Sequence, residues 1–226
     1  MDRKCVLVLL LVLAPRPDLR ASEISGKITF DKKLSKKTVA SAPYDLRGVA
    51  VPDDSSIGHS SSEFDRIAVW LESASAPVAA PLVATLQQRN RHFEPELLII
   101  PVGSTVLFPN LDPIFHNIFS LSRTQSFDLG YYAEGRSRSV KFPKPGIIQV
   151  YCHVHPDMHA VIVVVPAVWS GKPREDGTFS WSDVPPGKYK LQIWQSSMGV
   201  LHRTVILTET GKAHVDISLP KEDPSN

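Results

Sequence analysis

The chain has little cysteine, no excess of either charge and no apolar run long enough to span a membrane. Of its 226 residues, two are cysteines, and 25 Lys or Arg stand against 23 Asp or Glu. Two cysteines exclude a disulfide-rich miniprotein, and balanced charge with 42% hydrophobic residues excludes a disordered chain. Because no arginine stripe with interleaved aromatics occurs, the sequence predicts no nucleic-acid partner. The length predicts one or two globular domains.

Residues 1–21 have the layout of a secretory leader. A basic start at Arg3 and Lys4 precedes an apolar stretch from Cys5 to Ala14, and the segment ends on the small residue Ala21. The stretch is about half the ~20 residues that a transmembrane helix needs, which favours a cleaved signal over an uncleaved anchor. The sequence therefore predicts a periplasmic or secreted protein with no membrane span after cleavage.

Removal of this leader changes the charge and the thiol count. The leader holds four of the 25 basic and two of the 23 acidic residues, so 21 of each remain and the mature chain is formally neutral. Cys5 departs with the leader, leaving Cys152 as the single thiol and excluding an internal disulfide. That thiol is then buried and inert, paired between chains, or bound to metal.

Nearly every ordered-looking segment has the pattern of a β-strand, which predicts an all-β fold. Apolar and other residues alternate over 67–71, 188–193 and 214–219, as in strands with one buried and one solvent-facing side. Nearly continuous apolar runs predict strands covered on both faces, at 97–100, 105–108, 147–151 and 160–165. Segment 81–89 is ambiguous and could hold a short helix; 31–63 is predicted to be a surface loop and 221–226 a frayed tail.

The C-terminal part contains a turn-rich phrase. It runs from an Asp176-Gly177 turn through Phe179 and Trp181 to Pro185-Pro186-Gly187. This phrase resembles the carboxypeptidase regulatory-like, transthyretin-like β-sandwiches, whose first two strands would here be 25–30 and 66–72. Because about a hundred residues then intervene before Asp176, we expect a domain inserted in a loop. The predicted boundaries are 22–78 with 166–220 for the discontinuous sandwich, and 79–165 for the insert; three serial pieces are the alternative.

Metal-binding residue types are concentrated at one place in the insert. The loop between two predicted buried strands carries a thiol, three imidazoles and a thioether, in the order Cys152, His153, His155, Met158 and His159. A His116-Asn117 pair precedes it by about 36 residues. A thiolate, two imidazoles and a weakly held Met are the donors of a blue-copper electron-transfer centre. A His153-x-His155 pair, as in a type 2 copper or zinc site, is the alternative.

The insert resembles the cupredoxins, such as plastocyanin, azurin and pseudoazurin. The matching features are Phe93-Glu94-Pro95, the turn at 102–106, His116-Asn117 and Cys152-x-x-His155 with a following Met. The resemblance implies a Greek-key sandwich holding one copper ion, with ligands His116, Cys152, His155 and Met158, and with Asn117 tying the two ligand loops together. Met158 follows His155 by three positions, where plastocyanin-like loops have five, so a backbone carbonyl is an alternative axial ligand. Binuclear relatives with the shorter spacing need two cysteines, which the mature chain lacks.

No nucleophile elbow, P-loop or dinucleotide fingerprint occurs, so an enzyme is not expected. The resemblance implies a one-electron carrier between protein redox partners, with an apolar docking patch formed by Val154, Pro156 and either Ile114 or Phe115. Two alternatives stay open: a binding or adaptor module that uses tryptophans as a stacking platform, and a copper storage or delivery protein. Similar two-module proteins are labelled methylamine-utilisation proteins, but no residue here supports amine chemistry. The sequence predicts neither the redox partner nor the oligomeric state.

Overall fold

The computed structural model describes residues 22–31, 62–74, 76–209 and 211–220. The predicted leader, positions 32–61 of the predicted surface loop and the predicted tail lie outside the described residues. The strands before the ligand loop are β1 (Glu23–Asp31), β2 (Ile67–Glu72), β3 (Val83–Thr85), β4 (Gln87–Arg89), β5 (His92–Glu94), β6 (Leu97–Pro101), β7 (Thr105–Pro109), β8 (His116–Leu121), β9 (Ser126–Tyr132), β10 (Ser137–Lys141) and β11 (Gly146–Cys152). Those after it are β12 (His159–Val165), β13 (Ser170–Gly171), β14 (Thr178–Ser182), β15 (Gly187–Gln195), β16 (Gly199–Leu207) and β17 (Lys212–Pro220). Within the described ranges the helical structure is a single 3₁₀ turn, Glu63–Arg66.

The strands form four sheets and a small hairpin. Sheet I has the order β14-β1-β17 and sheet II the order β13-β2-β15-β16. Sheet III has the order β6-β12-β11-β8-β9, sheet IV the order β10-β7-β3, and β4 pairs with β5 as the hairpin. The all-β prediction, with a second small sandwich beside the first, is confirmed.

Three apolar cores hold these sheets in one stack. The first lies between sheets I and II and includes Ile24, Leu191 and Ile217. The second lies between sheets III and IV and includes Phe108 and Ile148. The third joins the two sandwiches, because residues of β2 and β15 pack there against residues of β6 and β12. The order of the layers is therefore I, II, III, IV.

The middle layers are covered on both faces. Every residue of β12 after its first is buried, as the continuous apolar run predicted. The same prediction is wrong for β7, where Leu107 is 37% exposed because sheet IV is an outer layer. For β2, the expected solvent-facing side is wrong: Ala68 is fully buried and Trp70 is 5% exposed, because that side packs on sheet III. On β15, Gln192 was expected to face solvent and is also buried, at 8% exposed.

The ambiguous segment 81–89 contains strands and no helix. β3 pairs in parallel with β7, and β4 forms an antiparallel hairpin with β5. Over the residues that the structure describes, no helix has the length and apolar character needed to cross a membrane.

Candidate metal centre

Strand pairing places His116 and Cys152 at the same end of sheet III. His116 begins β8 and Cys152 ends β11, and these antiparallel neighbours set Cys152 opposite Ile118. His116 is fully buried and Cys152 is 5% exposed. Two side chains 36 positions apart in the chain therefore meet, with His116 Nδ1 3.6 Å from Cys152 Sγ.

A tight loop brings His155 back to this pair. The N–H of Met158 donates to the carbonyl of His155 over 3.1 Å, and the N–H of Cys152 donates to the carbonyl of Met158 over 3.3 Å. These two bonds close the connection between β11 and β12. Met158 is fully buried and belongs to the same core as Cys152.

The closed loop assembles three donor side chains. One ligand atom from each of His116, Cys152 and His155 lies within 4.8 Å of the other two, and the two imidazole centroids are 4.9 Å apart. Across 22–31, 62–74, 76–209 and 211–220, no other three His, Cys, Asp or Glu side chains come together in this way. The structure thus gathers three of the four predicted ligands, and the axial role of Met158 stays a prediction.

The chemistry of these donors fits a copper ion. His155 Nδ1 is buried and has no hydrogen-bond partner, a costly state that a bound metal ion would relieve. Cys152 Sγ accepts the N–H of Val154 at 3.4 Å. A thiolate with two imidazoles suits both Cu(I) and Cu(II). The His-Cys-His group therefore fits a type 1 copper site.

The environment of His155 favours the neutral imidazole. Burial is the main cause that lowers its pKa, and the nearby His116 and Arg91 lower it further. A His with a lowered pKa is uncharged near neutral pH. The neutral ring has one nitrogen with a free lone pair, so His155 can bind a metal without first losing a proton.

Sequence reasoning missed a buried carboxylate beside His116. Asp112 is 4% exposed, and its Oδ2 lies 2.9 Å from His116 Nε2. Burial by itself would raise the pKa of Asp112, but hydrogen bonds from the Arg91 N–H, His116 and the Asn90 N–H outweigh it, so this pKa lies below its usual value. The only signal in the sequence was an aspartate four positions before a candidate ligand. On an irregular segment that spacing does not predict a contact between the two side chains.

The expected role of Asn117 differs from the observed contact. Its Nδ2 donates to Asp128 Oδ1 over 2.6 Å, and its buried Oδ1 has no hydrogen-bond partner. Asn117 therefore fastens β8 to the neighbouring β9 through its side chain, where a tie to the loop of Cys152 was predicted. The backbone register of these two strands shifts between Asn117 and Phe119, so the pairing is irregular next to the His116 position.

His153 and His159 point away from the donor cluster. His153 stacks on Phe119, with ring centroids 3.8 Å apart, and its side chain is 46% exposed. His159 Nε2 lies 2.5 Å from Gln149 Oε1. The alternative His153-x-His155 pair is therefore not assembled, because the strand alternation at Cys152 sends His153 to the opposite face.

Apolar side chains are exposed around the ligand loops. Phe115 is 61% exposed, Val154 42%, and Leu111 and Ile114 39% each. Each lies within five positions of His116 or His155 in the chain, and His155 itself is partly exposed. The centre is thus close to an apolar part of the surface.

No family model and no curated protein matches the chain. Among solved structures, the chain is similar to a Cu-containing nitrite reductase from Thermus scotoductus SA-01, with 28% identity and a TM-score of 0.36 over 42% of this chain and 25% of that one. It is also similar to a purple cupredoxin from Nitrosopumilus maritimus, with 26% identity and a TM-score of 0.34 over 36% of this chain and 99% of that one. A reduced Cu(I) form of an amicyanin variant gives 20% identity and a TM-score of 0.35 over 43% and 98% of the two chains. The chain thus spans a quarter of the nitrite reductase and nearly the whole of the other two proteins, and each of the three matches covers about two fifths of this chain.

Proposed function

We propose that the protein is an exported, mononuclear copper protein that carries single electrons between protein redox partners and is not itself an enzyme. The observation that carries the proposal is the group of His116, Cys152 and His155 donors, held within 4.8 Å of one another and including a buried His155 Nδ1 without a partner. A copper ion with these ligands supplies a one-electron Cu(II)/Cu(I) couple.

In this proposal the protein's part is to hold the donors still. His116 and Cys152 are fixed by paired strands, and His155 by the closed loop between β11 and β12. Donors that are fixed before metal binding change little between two oxidation states, which keeps electron transfer fast. Met158, fully buried in the same loop, is the proposed axial ligand.

We place partner docking at the apolar surface around His155. Its exposed members are Phe115, Ile114 and Val154, with Pro156 beside them. A small apolar patch fits transient association. Because the chain without its leader is formally neutral, docking should depend only weakly on ionic strength.

The adaptor alternative is less favoured by where the tryptophans lie. Trp70 and Trp194 are 5% and 4% exposed and pack between the two sandwiches, while Trp169 and Trp181 pack against the core of sheets I and II. An aromatic stacking platform would need exposed rings. We further propose that residues 79–165 are an inserted domain and that residues 1–21 are removed on export to the periplasm or beyond.

The test is addition of Cu(II) to the purified metal-free protein. We expect an intense visible thiolate-to-copper absorption band and a reversible one-electron couple, both lost in Cys152→Ser. The control is His159→Gln, a change at a nearby histidine that lies outside the donor group and should leave both signals intact. Met158→Leu, a nearly isosteric change that costs less than about 1.5 kcal/mol of stability, should shift the band and the potential if the thioether is the axial ligand.

Two results would contradict the proposal. A colourless protein that binds copper weakly would exclude the type 1 centre. A coloured protein whose copper is released to chelators on reduction, with no reversible couple, would favour storage or delivery over electron transfer.

A further inference from the structure

The carboxylate of Asp112 connects His116 with the turn of the β4–β5 hairpin, which lies about 20 positions earlier in the chain. Besides its contact with His116 Nε2, it accepts the backbone N–H of Asn90 at Oδ1 over 2.6 Å and the N–H of Arg91 at Oδ2 over 2.8 Å. The N–H of Asp112 in turn donates to Asn110 Oδ1 over 2.9 Å. Three donors, the N–H groups of Asn90 and Arg91 and the ring of His116, thus hold the Asp112 carboxylate in place. Hydrogen bonds from these donors replace those that solvent would make to its charge.

The backbone at Asn90 and Arg91 is arranged to make these bonds. Both residues have left-handed conformations, with φ of 53° and 60°, at the turn of the β4–β5 hairpin. This conformation is tolerated by Asn but unfavourable for Arg. Two consecutive N–H groups that face one buried carboxylate offset that cost, because hydrogen bonds to a charged acceptor are the strong ones.

The same carboxylate decides which nitrogen of His116 can bind a metal. A carboxylate only accepts hydrogen bonds, so His116 Nε2 must carry the proton. Nδ1 is then the nitrogen with the free lone pair, and it is the one that lies 3.6 Å from Cys152 Sγ. The tautomer and the ring orientation are therefore both fixed before any metal arrives.

We propose that Asp112 is a positioning residue that makes the proposed copper centre favour Cu(II) and so lowers its reduction potential; this inference rests on the proposed function. A buried negative charge bonded to the far nitrogen increases the basicity of the ligand nitrogen. Cu(II) is stabilised more than Cu(I), both by the more basic ligand nitrogen and by the negative charge itself. The charge acts strongly because the site is shielded from water. Removing the charge therefore weakens Cu(II) binding more than Cu(I) binding.

The test compares Asp112→Asn with Asp157→Asn. Each change removes one negative charge and keeps the shape of the side chain, but Asp157 is exposed and lies beside Met158 without bonding a ligand. We expect Asp112→Asn to lower Cu(II) affinity by about 10–100-fold, the usual effect of losing such a partner. Each tenfold difference between the losses of Cu(II) and Cu(I) affinity raises the potential by about 59 mV. Asp157→Asn should change both quantities by less than about twofold, because solvent screens that charge.

A second measurement needs no substitution and no metal. Nitrogen NMR of the metal-free wild-type protein reports which ring nitrogen of His116 is protonated. We expect a proton on Nε2 and a bare Nδ1. A proton on Nδ1 would overturn the inference even if Asp112→Asn failed to fold.

The outcomes separate this inference from the proposed function. A wild-type protein without the visible band or the couple would refute the proposed function, and the NMR measurement would still test the contact between Asp112 and His116. A wild-type protein with a normal couple, whose potential matches that of Asp112→Asn, would refute the inference and leave the proposed function standing. A rise in potential confined to Asp112→Asn supports both.

Discussion

The interface between the two sandwiches predicts that they unfold together. Val163 lies on β12, is fully buried, and belongs to the core that joins sheets II and III. Val163→Ala removes two methyl groups there, at about 0.8 kcal/mol each. The residual cavity raises the loss to about 2–3 kcal/mol. At a urea m value of about 3 kcal/mol per M, the midpoint should fall by about 0.7–1 M.

The chain carries separate natural probes for the two sandwiches. Its four tryptophans are Trp70, Trp169, Trp181 and Trp194, all packed in or against sheets I and II. In the chain without its leader the single thiol is Cys152, in the core of sheets III and IV. In one urea titration, thiol reactivity therefore reports the sandwich of sheets III and IV, and fluorescence reports that of sheets I and II together with the core that joins the two.

We expect the two probes to give one midpoint in the wild-type protein and the same lower midpoint in Val163→Ala. The matched control is Val83→Ala, the same chemical change at a side chain that is 68% exposed, which should shift neither midpoint by more than about 0.2 M. If Val163→Ala moves only the thiol transition, or if the wild-type transitions are already separate, the cooperative stack is refuted.

Two further predictions concern the sandwich of sheets I and II, called the outer sandwich below. Gly26→Ala should destabilise the protein by about 1–3 kcal/mol or more, because an added Cβ would lie 2.3 Å from the carbonyl oxygen of Val215; Gly171→Ala, where a Cβ meets nothing within 4 Å, is the control in thermal denaturation. Hydrogen bonds from the hydroxyl and the N–H of Thr178 lower the pKa of Asp176. Its stabilising effect is therefore complete above the unfolded value of about 3.9 and is lost as the pH falls through the folded pKa. Urea midpoints between pH 6 and 3 should fall more steeply for wild type than for Asp176→Asn, and equal slopes would contradict this assignment.

The donor cluster could be predicted from the sequence because its chemistry is local. Cys152, His155 and Met158 lie within or at the ends of one short loop, and the strand on each side is recognisable from a continuous apolar run. His116 was found through a resemblance, since no spacing rule links it to a loop 36 positions away. Its approach to Cys152 depends on strand pairing, which the sequence does not state.

The buried carboxylate could not be predicted, because its partners come from three separate places. Asp112 bonds the turn residues Asn90 and Arg91, which lie 22 and 21 positions earlier, and the side chain of His116. Viewed in the sequence alone, Asp112 stands in a Pro- and Asn-rich segment where a surface turn is the simplest interpretation. Its carboxylate is enclosed by the turn of the β4–β5 hairpin on one side and by His116 on the other.

The wrong expectation for β2 has a physical cause that the sequence does contain. On β15, Lys188 and Lys190 at the start of the strand are exposed on the side away from the core of sheets I and II. Further along the same side Gln192 and Trp194 are buried, as Ala68 and Trp70 are on β2. Alternation alone shows that a strand has two different faces, and the residue types show whether the second face meets water. A small residue and a tryptophan indicate a second packed layer. This layer also covers β12, which pairs along its length with the Cys152 strand β11. The outer sandwich is therefore a packing partner of the sheet that positions the candidate metal ligands, and it stabilises their placement through that sheet.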